Sequence, residues 1–335
     1  MNNEFNGVEF LSSLYTKGEL SFCAENKEQY YDWKNKTLEK LSEVLGLNRL
    51  RAVEPEVMEL DCEDMEDYLR KKIVFNTLPD LKMVMYVLVP KKNGNNIPVI
   101  AIHGHGSDGK NCLVGIVNKG FKVKSERFDY DYGLQLVKRG YTVFVPDLMG
   151  TGERGYAYNK HKIDCYDYNN VLISLGLSLL GVHIAEMLAL IELISRDKKL
   201  NTDKLSVVGF SGGGILALLV SVFCERVYFT GVSGFFHGFK NTMLTSNYCG
   251  CNFVPKMWAL VDMGDLGALV APRRLYIETG RQDNLNGING LDNVYSQINI
   301  VNRAYQVLSA KPPVFKVFEG RHRWYGGCYE IMEEH

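Results

Sequence analysis

The sequence predicts an α/β protein in which a mostly parallel sheet of eight strands carries helices on both faces. The first observation is that, from residue 71 onward, short runs of β-branched and aromatic residues alternate with longer apolar stretches of helical length. The second is that residues 28–45 place apolar side chains at mostly helical spacing, with Gly46 where a helix would end. We therefore expect a helical extension over residues 1–70 and one α/β domain over residues 71–335.

The predicted strands are short and rich in Val, Ile, Tyr and Phe, and they cover residues 72–77, 81–89, 98–102, 141–145, 205–208, 227–231, 274–278 and 314–318. No helix fits between the first two, which indicates an antiparallel hairpin at one edge of the sheet. Predicted helices near 130–139, 177–196, 212–224 and 291–309 separate later strands. Such connections favour right-handed crossovers and parallel pairing.

The composition is that of an ordinary globular protein. Of the 335 residues, 46% are hydrophobic and 23% are charged, and the formal net charge is −1. A nucleic-acid binder needs a basic stripe that neutralises phosphates. We therefore expect no nucleic-acid partner.

The eight cysteines predict neither a disulfide framework nor a zinc site, because the chain has no CxxC pair and no regular cysteine spacing. This favours a reducing compartment, and nothing in the sequence predicts a metal or another cofactor. The first residues show no basic region leading into an apolar stretch and no small-residue cleavage site. The predicted location is the cytoplasm.

Residues 171–194 form an apolar segment as long as a membrane span. His183, Glu186 and Glu192 lie inside this segment, and each ionisable side chain would cost a few kcal/mol in the hydrocarbon of a bilayer. We therefore interpret the segment as a buried helix of the core and predict no membrane association.

The sequence GFSGG at residues 209–213 matches the pattern Gly-x-Ser-x-Gly directly after a predicted strand and directly before a predicted helix. At such a turn the serine hydroxyl is exposed, and the helix N-terminus behind it favours developing negative charge. Gly209 and Gly213 would let the strand and the helix approach closely. Ser211 is therefore the candidate nucleophile, whereas the alternative is a glycine-rich turn that only packs a helix on the sheet.

A serine nucleophile needs a histidine base and a carboxylate that orients the base. In chains with this turn, the carboxylate and then the histidine follow the serine on loops after later strands. Asp283 follows the strand at 274–278, and His322 follows the strand at 314–318. Asp292 and Glu278 remain alternatives for the acid, and His237 remains the alternative for the base.

The sequence HGHG at residues 103–106 follows the strand at 98–102. A loop at this place supplies one backbone N–H of an oxyanion hole, and the residue after the nucleophile supplies the other. We assign these N–H groups to His105 and Gly212. Two other interpretations are weaker: His103 and His105 lack a further nearby ligand for a metal, and the GxGxxG match at 104–109 does not open a helix as a dinucleotide site would.

From about residue 28 to 330 the chain resembles the α/β-hydrolase superfamily, and within it the acetyl xylan esterase-like and dienelactone-hydrolase-like carboxylesterases. The resemblance rests on the GFSGG turn, the HGHG loop, the segment PDLMGTGE at 146–153 and the run APR at 271–273. It implies an α/β-hydrolase fold with a catalytic domain over 71–335, Ser211 as nucleophile, His322 as base and Asp283 as acid. It also implies hydrolysis of short-chain, acetyl-type esters of small molecules without a cofactor, with carbohydrate esters among the candidate substrates.

Two features bear on the substrate. Trp324 and Tyr325 follow the candidate base, and their rings would suit a sugar, although plain packing explains them as well. Residues 107–129 form a longer connection than a minimal one and could contribute to the substrate pocket. A serine peptidase of the prolyl-oligopeptidase kind and a non-catalytic binding protein of the same fold are the alternative functions.

Overall fold

A nine-stranded sheet forms the centre of the protein in a computed structural model, which describes residues 7–105, 108–116, 130–158, 161–243 and 248–334. The strands lie in the order β1-β2-β3-β5-β4-β8-β9-β10-β11. The first three strands are antiparallel to their neighbours, whereas β5, β4 and β8 to β11 are parallel. The predicted mostly parallel sheet with an antiparallel edge is therefore confirmed.

The bounds of the strands in the main sheet are β1 Val57–Asp64, β2 Tyr68–Leu78, β3 Leu81–Pro90, β4 Pro98–Ile102, β5 Thr142–Pro146, β8 Ser206–Phe210, β9 Phe229–Ser233, β10 Arg274–Gly280 and β11 Val314–Phe318. A separate hairpin consists of β6 Tyr156–Tyr158 and β7 His161–Ile163. The helices of the described residues are α1 Val8–Leu14, α2 Lys27–Leu45, α3 Lys110–Leu113, α4 Tyr132–Lys138, α5 Cys165–Ser174, α6 Leu179–Ser195, α7 Gly212–Phe223, α8 Phe239–Met243, α9 Met257–Leu260, α10 Met263–Ala268, α11 Leu291–Val307 and α12 Cys328–Glu333.

The prediction of eight strands is wrong by one, because β1 lies inside the segment that was expected to be a helical extension. Seven of the eight β1 residues are exposed. The strand pairs with β2 through its backbone and buries neither of its faces. An exposed strand shows no alternation of polar and apolar residues, so its sequence gave no periodic signal.

Both faces of the sheet are covered, as predicted. Along β4, Ile100 and Ile102 enter the larger apolar core, whereas Val99 and Ala101 enter a second core. Because side chains alternate between the faces of a strand, the two cores lie on opposite sides of the sheet. Helices α2, α6, α7 and α11 pack in the first core, and α4 and α12 pack in the second.

Helix α2 of the N-terminal extension is confirmed and packs on the sheet domain. Its N-cap is Asn26, whose side chain accepts a hydrogen bond from the N–H of Gln29, and Gly46 ends it with a φ of 75°. Tyr30 is fully buried, and its hydroxyl lies 2.9 and 2.8 Å from the carbonyl oxygens of Ala268 and Ala271. The extension therefore shares the first core.

The apolar segment 171–194 is broken in two, which corrects the prediction of one buried helix. Helix α5 ends at Ser174, and α6 begins after Ser178, whose hydroxyl accepts from the N–H of Gly181. The two helices meet at 102°, and in the part of the chain that the structure describes no single helix has both the length and the apolar composition to cross a membrane. Inside α6, the buried Glu186 is paired with Arg154 at 2.7 Å.

Candidate active site

Ser211 lies at the sharp turn between β8 and α7. Its φ of 55° is in the left-handed region, which a residue with a side chain rarely adopts. Close approach of the strand and the helix needs glycine on both sides: a Cβ on Gly209 would lie 2.0 Å from the carbonyl oxygen of Gly213, and one on Gly213 would lie 2.1 Å from that of Ile102. The turn holds the serine hydroxyl above the N-terminus of α7, as the sequence predicts.

The structure brings Ser211, His322 and Asp283 together from three loops. The Oγ of Ser211 lies 3.0 Å from the Nε2 of His322, and the Nδ1 of His322 lies 2.8 Å from Oδ2 of Asp283. When the Asp283 carboxylate accepts the proton on Nδ1, Nε2 is the nitrogen that can accept the proton of the serine hydroxyl. The Asp283 side chain is buried, whereas that of His322 is 18% exposed. This is the geometry of a nucleophile, a base and an orienting acid.

The alternative acid and base residues have other partners. Glu278 is buried and accepts hydrogen bonds from the hydroxyls of Ser233 and Tyr276 at 2.7 and 2.8 Å. His237 is buried and lies 2.6 Å from the hydroxyl of Tyr248, and burial lowers its pKa to about 3. Asp292 is exposed in the first turn of α11. The geometry favours Asp283 and His322.

The two residues proposed for the oxyanion hole lie side by side. A Cβ on Gly104 would lie 3.1 Å from the Cβ of Ser211, and one on Gly212 would lie 2.4 Å from the Nδ1 of His105. The loop after β4 therefore passes against both the nucleophile and the first residue of α7. The first N–H groups of a helix have no partner within the helix, so the N–H of Gly212 is available for a developing oxyanion. Gly106, the end of the HGHG motif, lies outside the described residues.

His103 has a structural role, because it joins two loops near the candidate site. It is buried, and its Nε2 accepts the N–H of Leu148 at 3.3 Å and lies 3.2 Å from the hydroxyl of Thr151. Burial lowers its pKa. His103 thus joins the loop after β4 to the loop after β5 and does not chelate a metal together with His105.

The segment PDLMGTGE serves to anchor the loops around the site. Asp147 and Lys110 have fully buried side chains, with Oδ2 and Nζ 2.7 Å apart, and Oδ1 accepts the N–H of Lys110 at 2.7 Å. Glu153 pairs with the same Nζ, and its N–H donates to Oδ2 of Asp147 at 3.0 Å. Lys110 therefore acts within the fold; most of the 107–129 connection lies outside the described residues.

Arg273, the last residue of the run APR, also has a structural role. Arg273 donates to the carbonyl oxygens of Ser221 and Cys224 at 2.6 and 2.8 Å. These carbonyl groups lie at the C-terminal end of α7, where a cation is favourable. Arg273 thus holds the far end of the helix whose N-terminus lies behind Ser211.

Trp324 is packed inside the protein, which agrees with the packing interpretation of this residue and speaks against contact with a sugar. It is 3% exposed, stacks on Tyr132 with ring centroids 4.2 Å apart, and its Nε1 donates to the hydroxyl of Tyr329 at 2.9 Å. A ring packed in the second core has no face left for a sugar. Tyr325 is 41% exposed and stacks on Phe318 at 4.8 Å, so one side of its ring is covered by the protein.

Sequence reasoning missed a group of sulfur and imidazole side chains beside the candidate nucleophile. His105, Cys165, Cys249 and Cys251 form this group, which we call the Cys/His cluster, and their ligand atoms all lie within 4.8 Å of one another. His105, Cys165 and Cys251 line a small cavity together with Gly104 and Gly212. No local spacing indicates the cluster, because its residues come from three separated segments.

Another cavity, of about 300 Å³, lies at the amino ends of β8 and β9, and Leu205, Val227, Tyr228 and Arg273 are among the residues that line it. Ligands of α/β sheets bind outside the carboxyl ends of the strands. Ser211, Asp283 and His322 all follow the carboxyl ends of their strands, at the opposite edge of the sheet. We therefore place the candidate active site at Ser211 rather than in this larger cavity.

Comparison with known proteins agrees with this fold. The family model described as the Abhydrolase family matches residues 11–323. A protein assigned as a hydrolase, YtaP of Bacillus subtilis (strain 168), is 21% identical over 252 residues, which are 72% of this chain and 79% of that protein. The chain therefore belongs to the Abhydrolase family, the α/β-hydrolases, as its sequence motifs suggest.

Solved structures share the fold at low sequence identity. A protein assigned as an acetyl xylan esterase from Bacteroides fragilis NCTC 9343 superposes with a TM-score of 0.76 at 17% identity, over 94% of this chain and 82% of that one. A glucuronoyl esterase from Solibacter usitatus gives a TM-score of 0.64 at 12% identity, over 96% and 97% of the two chains. Acetyl Xylan Esterase 1 from Thermoanaerobacterium sp. JW/SL YS485 gives 0.59 at 16% identity, over 97% and 96%.

Proposed function

We propose that this α/β-hydrolase is a serine carboxylesterase that hydrolyses short-chain, acetyl-type esters of carbohydrates through an acyl-enzyme. The observation that carries the proposal is the continuous set of contacts from Ser211 through His322 to Asp283, at 3.0 and 2.8 Å. A serine hydroxyl becomes a useful nucleophile when a base accepts its proton and an acid orients that base.

In the first half of the reaction, the Oγ of Ser211 attacks the ester carbonyl carbon while Nε2 of His322 takes the hydroxyl proton. The carbonyl oxygen becomes an oxyanion, and the N–H groups of Gly212 and His105 donate to it. Asp283 stabilises the imidazolium through Nδ1. The tetrahedral intermediate then expels the alcohol, which takes the proton from His322 and leaves the acyl group on Ser211.

In the second half, a water molecule attacks the acyl carbon and His322 takes a proton from it. The new oxyanion occupies the same pair of N–H groups. Collapse of this intermediate breaks the bond to Oγ, Ser211 regains its proton from His322, and the carboxylic acid leaves. The net reaction is hydrolysis of the ester, and it needs no cofactor.

The substrate class is supported by the names of the structural relatives. The structural relatives include proteins named as acetyl xylan and glucuronoyl esterases, which by those names act on esters of carbohydrates. We also propose a cytoplasmic location, consistent with eight cysteines of which none forms a disulfide.

Hydrolysis of a series of p-nitrophenyl esters, from acetate to octanoate, tests the proposal. We expect the highest kcat/KM for acetate, release of acetate from acetylated xylo-oligosaccharides, and no turnover of proline-containing amide substrates. Preferred cleavage of the amides would indicate a peptidase instead. The variant Ser211→Ala, assayed in parallel, should be inactive on every ester.

A further inference from the structure

The Cys/His cluster joins three segments that are far apart in the sequence. His105 lies in the loop after β4, Cys165 is the first residue of α5, and Cys249 and Cys251 flank Gly250. The loop and the helix are separated by 60 residues, and the helix and the 249–251 turn by a further 84. None of these side chains takes part in the proposed reaction.

The distances in the cluster come close to those of a tetrahedron of metal ligands. The Sγ of Cys165 lies 3.5 Å from Nε2 of His105 and 3.6 Å from Sγ of Cys249, and the Sγ atoms of Cys249 and Cys251 lie 3.1 Å apart. Nε2 of His105 lies 2.7 Å from Sγ of Cys251. With zinc bonds of about 2.3 Å to sulfur and 2.0–2.1 Å to nitrogen, tetrahedral ligand atoms are about 3.5–3.8 Å apart. The two contacts of Cys165 are within about 0.2 Å of these values, whereas the Cys249–Cys251 pair would have to separate by about 0.7 Å and the His105–Cys251 pair by about 0.9 Å.

A disulfide explains the cluster less well. The sulfur atoms are at least 3.1 Å apart, whereas a disulfide bond is about 2.05 Å long. A disulfide would also use only two of the three sulfurs and would leave the imidazole unexplained. Three thiols and one imidazole around a common centre are the ligand set of a closed Cys₃His zinc site.

The surrounding structure holds the ligands in place. Cys165 and Cys251 are buried. The buried side chain of Asn169, one helical turn after Cys165, donates to the carbonyl oxygen of Gly250 at 2.7 Å and accepts from the N–H of Leu179 at 2.8 Å. Helix α5 is therefore fixed to the turn that carries Cys249 and Cys251, so the cluster is a built site.

We propose that His105, Cys165, Cys249 and Cys251 bind one zinc ion, which stabilises the loop that carries His105 against Ser211. Three thiolates favour a soft or borderline cation, and four protein ligands leave no open position for substrate. Binding releases the thiol protons to solvent, because thiolates are the ligands. The ion is thus structural.

The position of His105 gives this ion an influence on the active site. Its Nε2 faces the sulfurs, whereas its Nδ1 lies against Gly212. Metal binding at Nε2 would fix the proton on Nδ1 and fix the orientation of the ring. The ion would then hold the backbone of His105 beside Ser211; this consequence, unlike the metal site itself, rests on the proposed function.

The direct test is the metal content of the full-length protein, purified under reducing conditions without chelators and measured by inductively coupled plasma mass spectrometry. We expect about one zinc per chain for the wild type. Cys249→Ser and Cys251→Ser should each lower this content at least tenfold. The control Cys224→Ser removes a half-buried thiol outside the cluster and should retain the wild-type content, as should Ser211→Ala.

A second measurement covers the case in which the cysteine variants do not fold. Wild-type protein stripped of metal and titrated with Co²⁺ should develop thiolate-to-cobalt charge-transfer absorption and the visible bands of a tetrahedral site, with saturation near one equivalent. Failure of the wild type to retain zinc or to develop these bands would overturn the metal site. A loss of 2 Da from an intramolecular disulfide, or full zinc content in both cluster variants, would do so as well.

These readouts are independent of esterase activity. An inactive protein that binds zinc would remove the proposed function and leave the metal site intact. An active protein that binds no zinc would remove the metal site and leave the proposed function intact.

Discussion

The candidate triad and the Cys/His cluster lie on two sides of Gly212 and are built in the same way, from side chains on three distant segments. They differ in how those segments are placed. Ser211, Asp283 and His322 each follow a strand of the parallel sheet, whose carboxyl ends meet at one edge. The cluster residues lie on a loop, at the start of α5 and at a short 3₁₀ helix, Gly250–Asn252. The order of regular elements predicts the first group, whereas only the packing of loops reveals the second.

The largest expected effect is a loss of esterase activity in Ser211→Ala without any loss of metal from the Cys/His cluster. Ser211→Ala removes the attacking oxygen, so kcat/KM for p-nitrophenyl acetate is expected to fall ~10⁴-fold or more. Ser211 has no contact with the cluster sulfurs, so the metal content of the Ser211→Ala variant should remain that of the wild type. Measurable turnover within tenfold of the wild type would contradict the assignment of the nucleophile.

The next effect tests whether Asp283 orients the base. Asp283→Asn replaces the acceptor that holds the Nδ1 proton of His322, so kcat is expected to fall ~10³–10⁴-fold through the wrong tautomer. Asp292→Asn is a matched control, because Asp292 is an exposed carboxylate in the first turn of α11. Steady-state kinetics of both variants check the assignment, which equal losses in the two variants would refute.

The next comparison concerns the two aromatic residues after His322. Trp324→Ala removes a ring that is 97% buried in the second core and should lower the free energy of unfolding by about 3–5 kcal/mol. Tyr325→Ala, at a 41% exposed position, should lower it by less than about 1 kcal/mol. Urea denaturation checks both values, and a higher KM for a sugar ester in folded Trp324→Ala would restore its role in binding.

The smallest expected effect is a decrease of kcat on removal of a cluster ligand, which tests whether the Cys/His cluster supports the reaction. Cys249→Ser should lower kcat for p-nitrophenyl acetate by about tenfold, the lower end of the losses seen when residues that support a site are removed, because the loop with His105 loses its metal anchor. Cys224→Ser should leave kcat within about twofold of the wild type. An active Cys249→Ser variant without zinc would show that the ion serves stability alone.

The parts of the molecule that the sequence predicted share one property: burial in regular elements. Eight strands and the turn at Ser211 follow from apolar runs and glycines that the packing requires. Strand β1 was missed because its side chains are exposed, and the break before α6 was missed because both flanking helices are apolar. Packing and sugar binding both stayed open for Trp324 because a tryptophan in a sequence does not reveal which residues cover it. The Cys/His cluster was missed because only the loops bring its residues together.

The central claim is that Ser211 is an activated nucleophile, and covalent labelling tests it most directly. Folded wild-type protein treated with a fluorophosphonate should gain the mass of a single adduct, and peptide mapping should place the adduct on Ser211. Ser211→Ala should gain none. A folded wild type that stays unlabelled, or that is labelled on another serine, would contradict the account and favour a binding protein with a hydrolase fold.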